Sequence, residues 1–202
     1  IGLGTLLFDA ISTYLSATHV NAGTVRAGGA NFLAAGSLFT IVDGATLDLA
    51  GHSQTIGGLS GSGTVALGAG TITLNQATDT HFDGHISGSG ALIKGGPGSL
   101  ELVSPQSFSG GLEINGGVVR LMTTAASGSG SVNVNLDGTL HSNASQSMAI
   151  TLGGGTISSG IPVATQVYTS GNLQVTAASS VDLFYGANAF TNGEVSITGV
   201  LS

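Results

Sequence analysis

No cysteine occurs among the 202 residues, Lys and Arg together number three, and aromatic residues make up 5%. Each shortage removes a class of function. Without thiols there are no disulfides, no thiolate nucleophile and no cysteine-bound zinc. Stability outside a cell would then rest on packing and backbone hydrogen bonds. Three cations against ten carboxylates give a net charge of −7. Such a chain has almost nothing with which to neutralise phosphates, so nucleic acid and anionic membrane surfaces are excluded as partners. Charged residues are only 6% of the chain, where roughly 25% is usual. No apolar run reaches the length of a membrane helix, so this fragment is not expected to insert into a bilayer. Residues 1–9, IGLGTLLFD, carry neither an initiator Met nor a basic leader. They read as the interior of a repeat, and the expectation is a piece of something longer with no signal peptide in this stretch.

What is abundant is glycine, 35 residues, together with small aliphatics that bring the hydrophobic fraction to 41%. That fraction is too high for a disordered Gly/Ser linker. The scarcity of aromatics points to a narrow core of Leu, Ile, Val and Ala. No window holds a helical apolar stripe free of Gly or β-branched interruption. Short alternating pairs recur instead, among them Leu47/Leu49, Val65/Leu67, Ile72/Leu74, Leu100/Leu102, Leu112/Ile114, Val119/Leu121, Val132/Val134, Leu173/Val175 and Val195/Ile197. Gly, Ser, Asn and Asp clusters separate them, which is turn chemistry.

Strands this short suit a sandwich, a barrel or a solenoid, and self-similarity decides among them. Residues 4–26, GTLLFDAISTYLSATHVNAGTVR, are echoed at 98–120, GSLELVSPQSFSGGLEINGGVVR, without a gap. The echo continues from 37–47, SLFTIVDGATL, to 131–140, SVNVNLDGTL, with one Ala inserted before Thr46. Arg26 and Arg120, Tyr14 and Phe108, and Asp43 and Asp137 become equivalent positions, the two Asp residues reading as turn caps. A unit with a few apolar residues cannot bury them alone, but stacked units bury one another. The fold class that follows is all-β: a right-handed parallel β-helix, a solenoid forming a single domain fragment. At roughly 20 to 25 residues per turn it would have about 8 to 10 turns and a length of about 40 Å. Residues 1–121 carry the repeats with the 94-residue period, and 122–202 read as a divergent continuation.

At this point a family resemblance is visible. Residues 88–102, GSGALIKGGPGSLEL, followed by 108–117, FSGGLEINGG, and residues 44–65, GATLDLAGHSQTIGGLSGSGTV, resemble the passenger-associated repeats of AIDA- and pertactin-like autotransporters and of large exported bacterial adhesins. The resemblance is strong over about residues 1–121. It implies export to the bacterial cell surface and attachment to the outer membrane through a C-terminal region not contained in this stretch. It also implies adhesion, aggregation or service as a stalk.

Chemistry is sparse. The densest polar run is Asp79-Thr-His81-Phe-Asp83-Gly-His85. In one strand alternate residues share a face, so Asp79, His81, Asp83 and His85 would project together with Phe82 and Ile86 inward. Two imidazoles and two carboxylates suit a divalent metal such as zinc. The same alternation is also what a solvated strand face produces. The remaining acids Asp9, Asp43, Asp48, Glu101, Glu113, Asp137, Asp182 and Glu194 are spread singly, unlike the paired carboxylates of a glycosidase. No nucleophile elbow, phosphate loop or calcium nonapeptide is present. Tyr168, Phe184 and Tyr185 are candidates for a contact surface. The reading is therefore a non-enzymatic protein without cofactor, whose partners are a host or matrix glycan or protein, or its own kind. Its alternatives are a polysaccharide-acting β-helix enzyme and an inert spacer for an effector located elsewhere.

Overall fold

The structure is a computed structural model that describes residues 4–144, 148–159 and the segments 167–169, 173–176, 179–183, 189–191 and 195–197. No helix occurs among the described residues. The chain winds through short strands, coil by coil. The first coil has β1 (Thr5–Phe8) and β2 (Thr18–Val20), and the second β3 (Thr24–Ala27) and β4 (Leu38–Ile41). Four three-strand coils follow. They are β5 (Thr46–Asp48), β6 (Gln54–Ile56) and β7 (Gly58–Gly61), then β8 (Thr64–Ala66), β9 (Ile72–Asn75) and β10 (Thr80–Phe82). Next come β11 (His85–Gly88), β12 (Leu92–Gly95) and β13 (Ser99–Leu102), then β14 (Ser107–Phe108), β15 (Leu112–Ile114) and β16 (Gly117–Leu121). Two-strand coils β17 (Val132–Asn135) with β18 (Gly138–Ser142) and β19 (Ile150–Gly153) with β20 (Thr156–Ser159) come next. Strands β21 (Val167–Thr169), β22 (Leu173–Val175), β23 (Ser180–Leu183), β24 (Ala189–Thr191) and β25 (Val195–Ile197) complete the order.

Each coil adds its strands in parallel to those of its neighbours, giving three long sheets. Sheet A holds six strands from β1 to β14, sheet B nine from β2 to β23, and sheet C eight from β6 to β25; β21 and β24 form a separate pair. Partners in successive coils lie about one coil apart in sequence, as in the column Leu74–Lys94–Ile114–Val134. The spacing ranges from 17 residues (Leu140 to Ile157) to 24 (Ile157 to Val181). This is a parallel β-helix.

Side-chain alternation fills its interior. The pairs Leu47/Leu49, Val65/Leu67, Ile72/Leu74, Leu100/Leu102, Leu112/Ile114, Val119/Leu121 and Val132/Val134 are all buried. The pairs at 173/175 and 195/197 lie outside the described side chains. A single coil does not bury its own apolar residues. Leu6, Val25 and Leu47 share one inward column. Leu6 has a coil on one side only among the described residues and is 60% exposed, whereas Val25 and Leu47 lie between two coils and are 6% and 0% exposed. Where coils approach most closely no side chain fits: a Cβ built on Gly90 would collide with the Gly70 carbonyl of the coil before it.

The long echo takes a form the sequence did not disclose. Strands β1, β2 and β4 have bounds 94 residues before those of β13, β15 and β17. Yet β1 and β3 lie in sheet A while β13 and β16 lie in sheet B, and β2 and β4 lie in sheet B while β15 and β17 lie in sheet C. Equivalent segments are therefore one face apart. Arg26 and Arg120 do not occupy a common structural place, contrary to the sequence expectation. In the first copy, residues 28–37 replace a strand of sheet C. Asn31 N donates to Ser53 O at 3.0 Å and Leu33 N to Gln54 Oε1 at 3.0 Å, both beside β6. In the second copy, residues 122–131 replace a strand of sheet A. Gln106 N donates to Ala125 O at 2.9 Å and Ser129 N to Phe108 O at 3.0 Å, both beside β14.

The register break also lies elsewhere than expected. Phe39 and Ile41 are buried in β4, and their buried counterparts in β17 are Val132 and Val134, an offset of 93. Before the loop, Val20, Val25 and Ala27 match buried Ile114, Val119 and Leu121 at 94. Counted by buried positions, the one-residue difference thus falls between Ala27 and Phe39 in the first copy, not beside Thr46, because a one-residue slip inside a strand would turn its apolar side outward. With that correction Asp137 (φ 68°) stands where Gly44 (φ 76°) stands in the first copy, and Asp43 is not its equivalent. The capping aspartate is Asp48, whose Oδ1 accepts from Ala50 N at 2.8 Å. Tyr14 and Phe108 also part company. Phe108 is fully buried, whereas Tyr14 is 36% exposed and shares a hydroxyl hydrogen bond of 2.7 Å with Thr18.

Candidate functional site

The run from Asp79 to His85 is not one strand. Strand β10 ends at Phe82, the chain turns a corner at Asp83 and Gly84, and His85 opens β11 on sheet A. Gly84 serves that corner, since a Cβ there would meet the Gly63 carbonyl. Phe82 and Ile86 do point into the core, and both are fully buried. The four polar residues, however, are divided among different partners. Asp79 Oδ1 accepts from Ser99 N at 2.8 Å. This backbone bond, the Ser99 hydroxyl and the charges of Arg120 and Lys94 hold its carboxyl below the ordinary value, with burial acting against them. His85 Nδ1 donates to Pro105 O at 3.0 Å, and its Nε2 shares a hydrogen with Ser107 Oγ at 2.8 Å.

His81 and Asp83 do meet, and a residue not grouped with them joins. His81 Nε2 lies 2.9 Å from Asp83 Oδ1, and Nδ1 lies 2.9 Å from Glu101 Oε1 of the next coil. Carboxylates accept only, so this arrangement favours the imidazolium form, in which both ring nitrogens donate. Burial opposes that charge, but Asp83 and Glu101 outweigh it through hydrogen bonds and proximity and raise the His81 pKa above the ordinary imidazole value. All four nitrogens of His81 and His85 are thereby engaged with the protein itself. Among the described residues no group of three or more His, Asp or Glu side chains is placed to hold a metal ion.

Glu101 is a rung in an outward column of sheet B that reads His19, Thr40, Ser60, His81, Glu101, Arg120, His141, Ser158. Hydroxyl rungs bond directly, Thr40 to Ser60 at 2.9 Å and His141 Nδ1 to Ser158 at 3.0 Å. Burial first, then the Arg120 charge, pushes the His141 pKa down, with Asn143 opposing. In a chain with 6% charged residues this face is where titratable groups gather. The signal for Glu101 lay in the coil length. It follows His81 by 20 residues, the same spacing as Leu74, Lys94 and Ile114. The outward column of sheet C, by contrast, is Thr55, Thr73, Ile93, Glu113, Asn133, Thr151, polar but nearly uncharged. The side chains of Tyr168, Phe184 and Tyr185 lie outside the described residues.

A cavity of about 360 Å³ opens at the first coils, lined in part by Leu6, His19, Val20, Thr24 and Val25. Its lining includes the exposed Leu6 and gathers no set of catalytic side chains.

Stacked parallel coils with polar outer columns define a β-solenoid, the architecture that the resemblance noted in the repeats implies. The chain is 38% identical over 136 residues to the adhesin BmaC autotransporter of Brucella suis biovar 1 (strain 1330). The matched stretch is 63% of this chain and 4% of that relative, so the chain spans a small part of the relative's length. No family model and no solved structure matches the chain. Among the described residues no helix is long and apolar enough to cross a membrane.

Proposed function

We propose that the chain is an adhesive and structural segment of an exported protein displayed on the bacterial surface, anchored by a region outside this stretch. Its work is mechanical and recognitive rather than catalytic. Stacked coils extend the rod, and outward columns of Ser, Thr, Asn and His present hydrogen-bonding groups at the ~4.8 Å spacing of parallel strands. Such a surface suits host or matrix glycans and proteins, or sister molecules. The observation that carries this reading is the alignment to an autotransporter adhesin over 63% of the chain. A second reading, a spacer that holds an effector away from the cell, is favoured by the chain's small share of that relative, 4%.

One experiment separates the two. The purified chain is applied to a glycan array and to immobilised matrix proteins, and the same chain is displayed on cells whose sedimentation is followed. Saturable binding or faster settling is expected. Absence of both, with the folded state verified by far-UV circular dichroism, would leave the spacer reading and end the adhesive one.

A further inference from the structure

The three cations of the chain have different fates. Arg26 Nη1 is paired with Asp48 Oδ2 at 3.1 Å on sheet A. Lys94 is buried in the core column of sheet C, where its Nζ donates to Gly95 O at 2.8 Å, Gly96 O at 2.9 Å and Gly116 O at 3.1 Å. Arg120 is a partly exposed rung of sheet B that makes no ion pair with any described residue. Its register neighbour Glu101 turns one carboxylate oxygen to His81 instead. On a chain of net charge −7, this guanidinium, which acts on the Asp79 carboxylate through its charge without an ion-pair contact, is free to meet a carboxylate brought from outside.

The face around Arg120 holds such a carboxylate in the right place for a copy of itself. Consider two sheet B faces packed with their coil axes antiparallel, about a two-fold axis that lies along the strands between the rungs of Glu101 and Arg120. Rung order reverses while position along the strand is kept. Glu101 of each copy then faces Arg120 of the other, and His81 faces His141. Two residues along, the outward column continues Asp83, Val103, Met122, Asn143, as the bonds Val103 N to Phe82 O, Met122 N to Leu102 O and Asn143 N to Leu121 O require. In that column Asp83 faces the amide of Asn143, and Val103 faces Met122. Charge meets opposite charge, acid meets amide and apolar meets apolar. With the coil axes parallel instead, Glu101 would face Glu101, and like charges directly opposed disfavour that arrangement.

We propose that the outer face of sheet B is an isologous docking surface for a second copy of this chain, closed by two reciprocal Glu101–Arg120 pairs. This deepens the self-association arm of the proposed function and rests on it. Six to eight rungs at ~4.8 Å, three side chains wide, bury on the order of 1,000 Å² in all, the scale of a weak, reversible contact.

The test is sedimentation equilibrium of the whole chain. Wild type is expected to dimerise reversibly, and Arg120→Glu and Glu101→Arg are each expected to raise the dissociation constant at least tenfold. Mixing the two variants restores association, because each supplies the charge the other lacks. Since the chain has no Cys, orientation is read separately: a short bismaleimide, which alkylates two thiols across the gap of about 10 Å between facing sheets, should cross-link Val103→Cys to Met122→Cys on mixing, and neither alone. A wild type that stays monomeric, charge reversals without effect, or Met122→Cys cross-linking to itself would overturn the surface. Glycan or matrix binding by a monomeric chain would do so while leaving the adhesive function standing.

Discussion

Three buried glutamines show how single residues hold the coils together where strands are missing. The Gln106 side chain behaves as a peptide unit turned sideways. Its Oε1 accepts from Ile86 N at 2.6 Å, and its Nε2 donates to Gly84 O at 3.2 Å and Ser104 O at 2.7 Å. Gln54 repeats the pattern, accepting from Leu33 N at 3.0 Å and donating to Gly29 O at 2.7 Å. Gln76 reaches the Ser99 carbonyl and the Thr80 hydroxyl. Gln106→Leu fills the same space but strands a buried N–H and C=O, so a loss of about 1–3 kcal/mol is expected in urea unfolding. A midpoint equal to that of wild type would refute the bridging role. Lys94 makes a second case. Burial lowers its pKa from the ordinary 10.5 to about 8, with only the charge of Asp79 opposing. The unfolded chain then holds the proton more tightly, so stability rises as pH increases from about 8 towards 10.5. The urea midpoint should climb over that interval in wild type and lose the climb in Lys94→Met.

The strand–loop–strand element is the unit that recurs, and its turns follow local rules. Asp137 takes the left-handed conformation that Gly44 takes in the first copy. Asp tolerates that region and β-branched residues do not. Asp137→Gly should therefore be tolerated within about 0.5 kcal/mol, while Asp137→Val should cost about 1–3 kcal/mol in thermal unfolding. Equal melting of the two variants would place the strain elsewhere. The element also explains how far sequence could see. Apolar alternation at Leu100/Leu102 or Ile72/Leu74 names the inward side directly, because a strand's two faces alternate whatever surrounds it. Strands β1 and β2 share their bounds with β13 and β15, 94 residues on, for the same reason. Which sheet each copy joins was not legible. A replacement loop at 28–37 or 122–131 skips one face, and only closure of the coils shows which. The expected metal quartet failed as a strand for a related reason. The corner at Gly84 is set by the Gly63 backbone of the neighbouring coil, which local sequence does not contain.

For the molecule as a whole, stability is a sum over neighbouring coils, and coils lacking a neighbour should open first. Residues 46–121 have three strands per coil and a neighbour on both sides, whereas β1 has one neighbour among the described residues and carries Leu6 and Leu7 at 60% and 52% exposure. Amide hydrogen exchange is expected to be fastest at residues 5–8 and slowest at Leu74, Lys94 and Ile114. Uniform protection from the first coil to the sixth would contradict nearest-neighbour stacking.

By itself the sequence determined the architecture: scarce charge, small aliphatics in alternation and glycine-rich corners admit few folds other than a stacked solenoid, and the repeat wording named its relatives. Tertiary structure alone decided the surface. His81, Glu101, Arg120 and His141 lie about 20 residues apart along the chain, and they become neighbours on one face because coil length brings every rung back to the same azimuth. Coil length varies with each loop and bulge, so a one-residue difference, invisible in composition and periodicity, chooses which side chains meet.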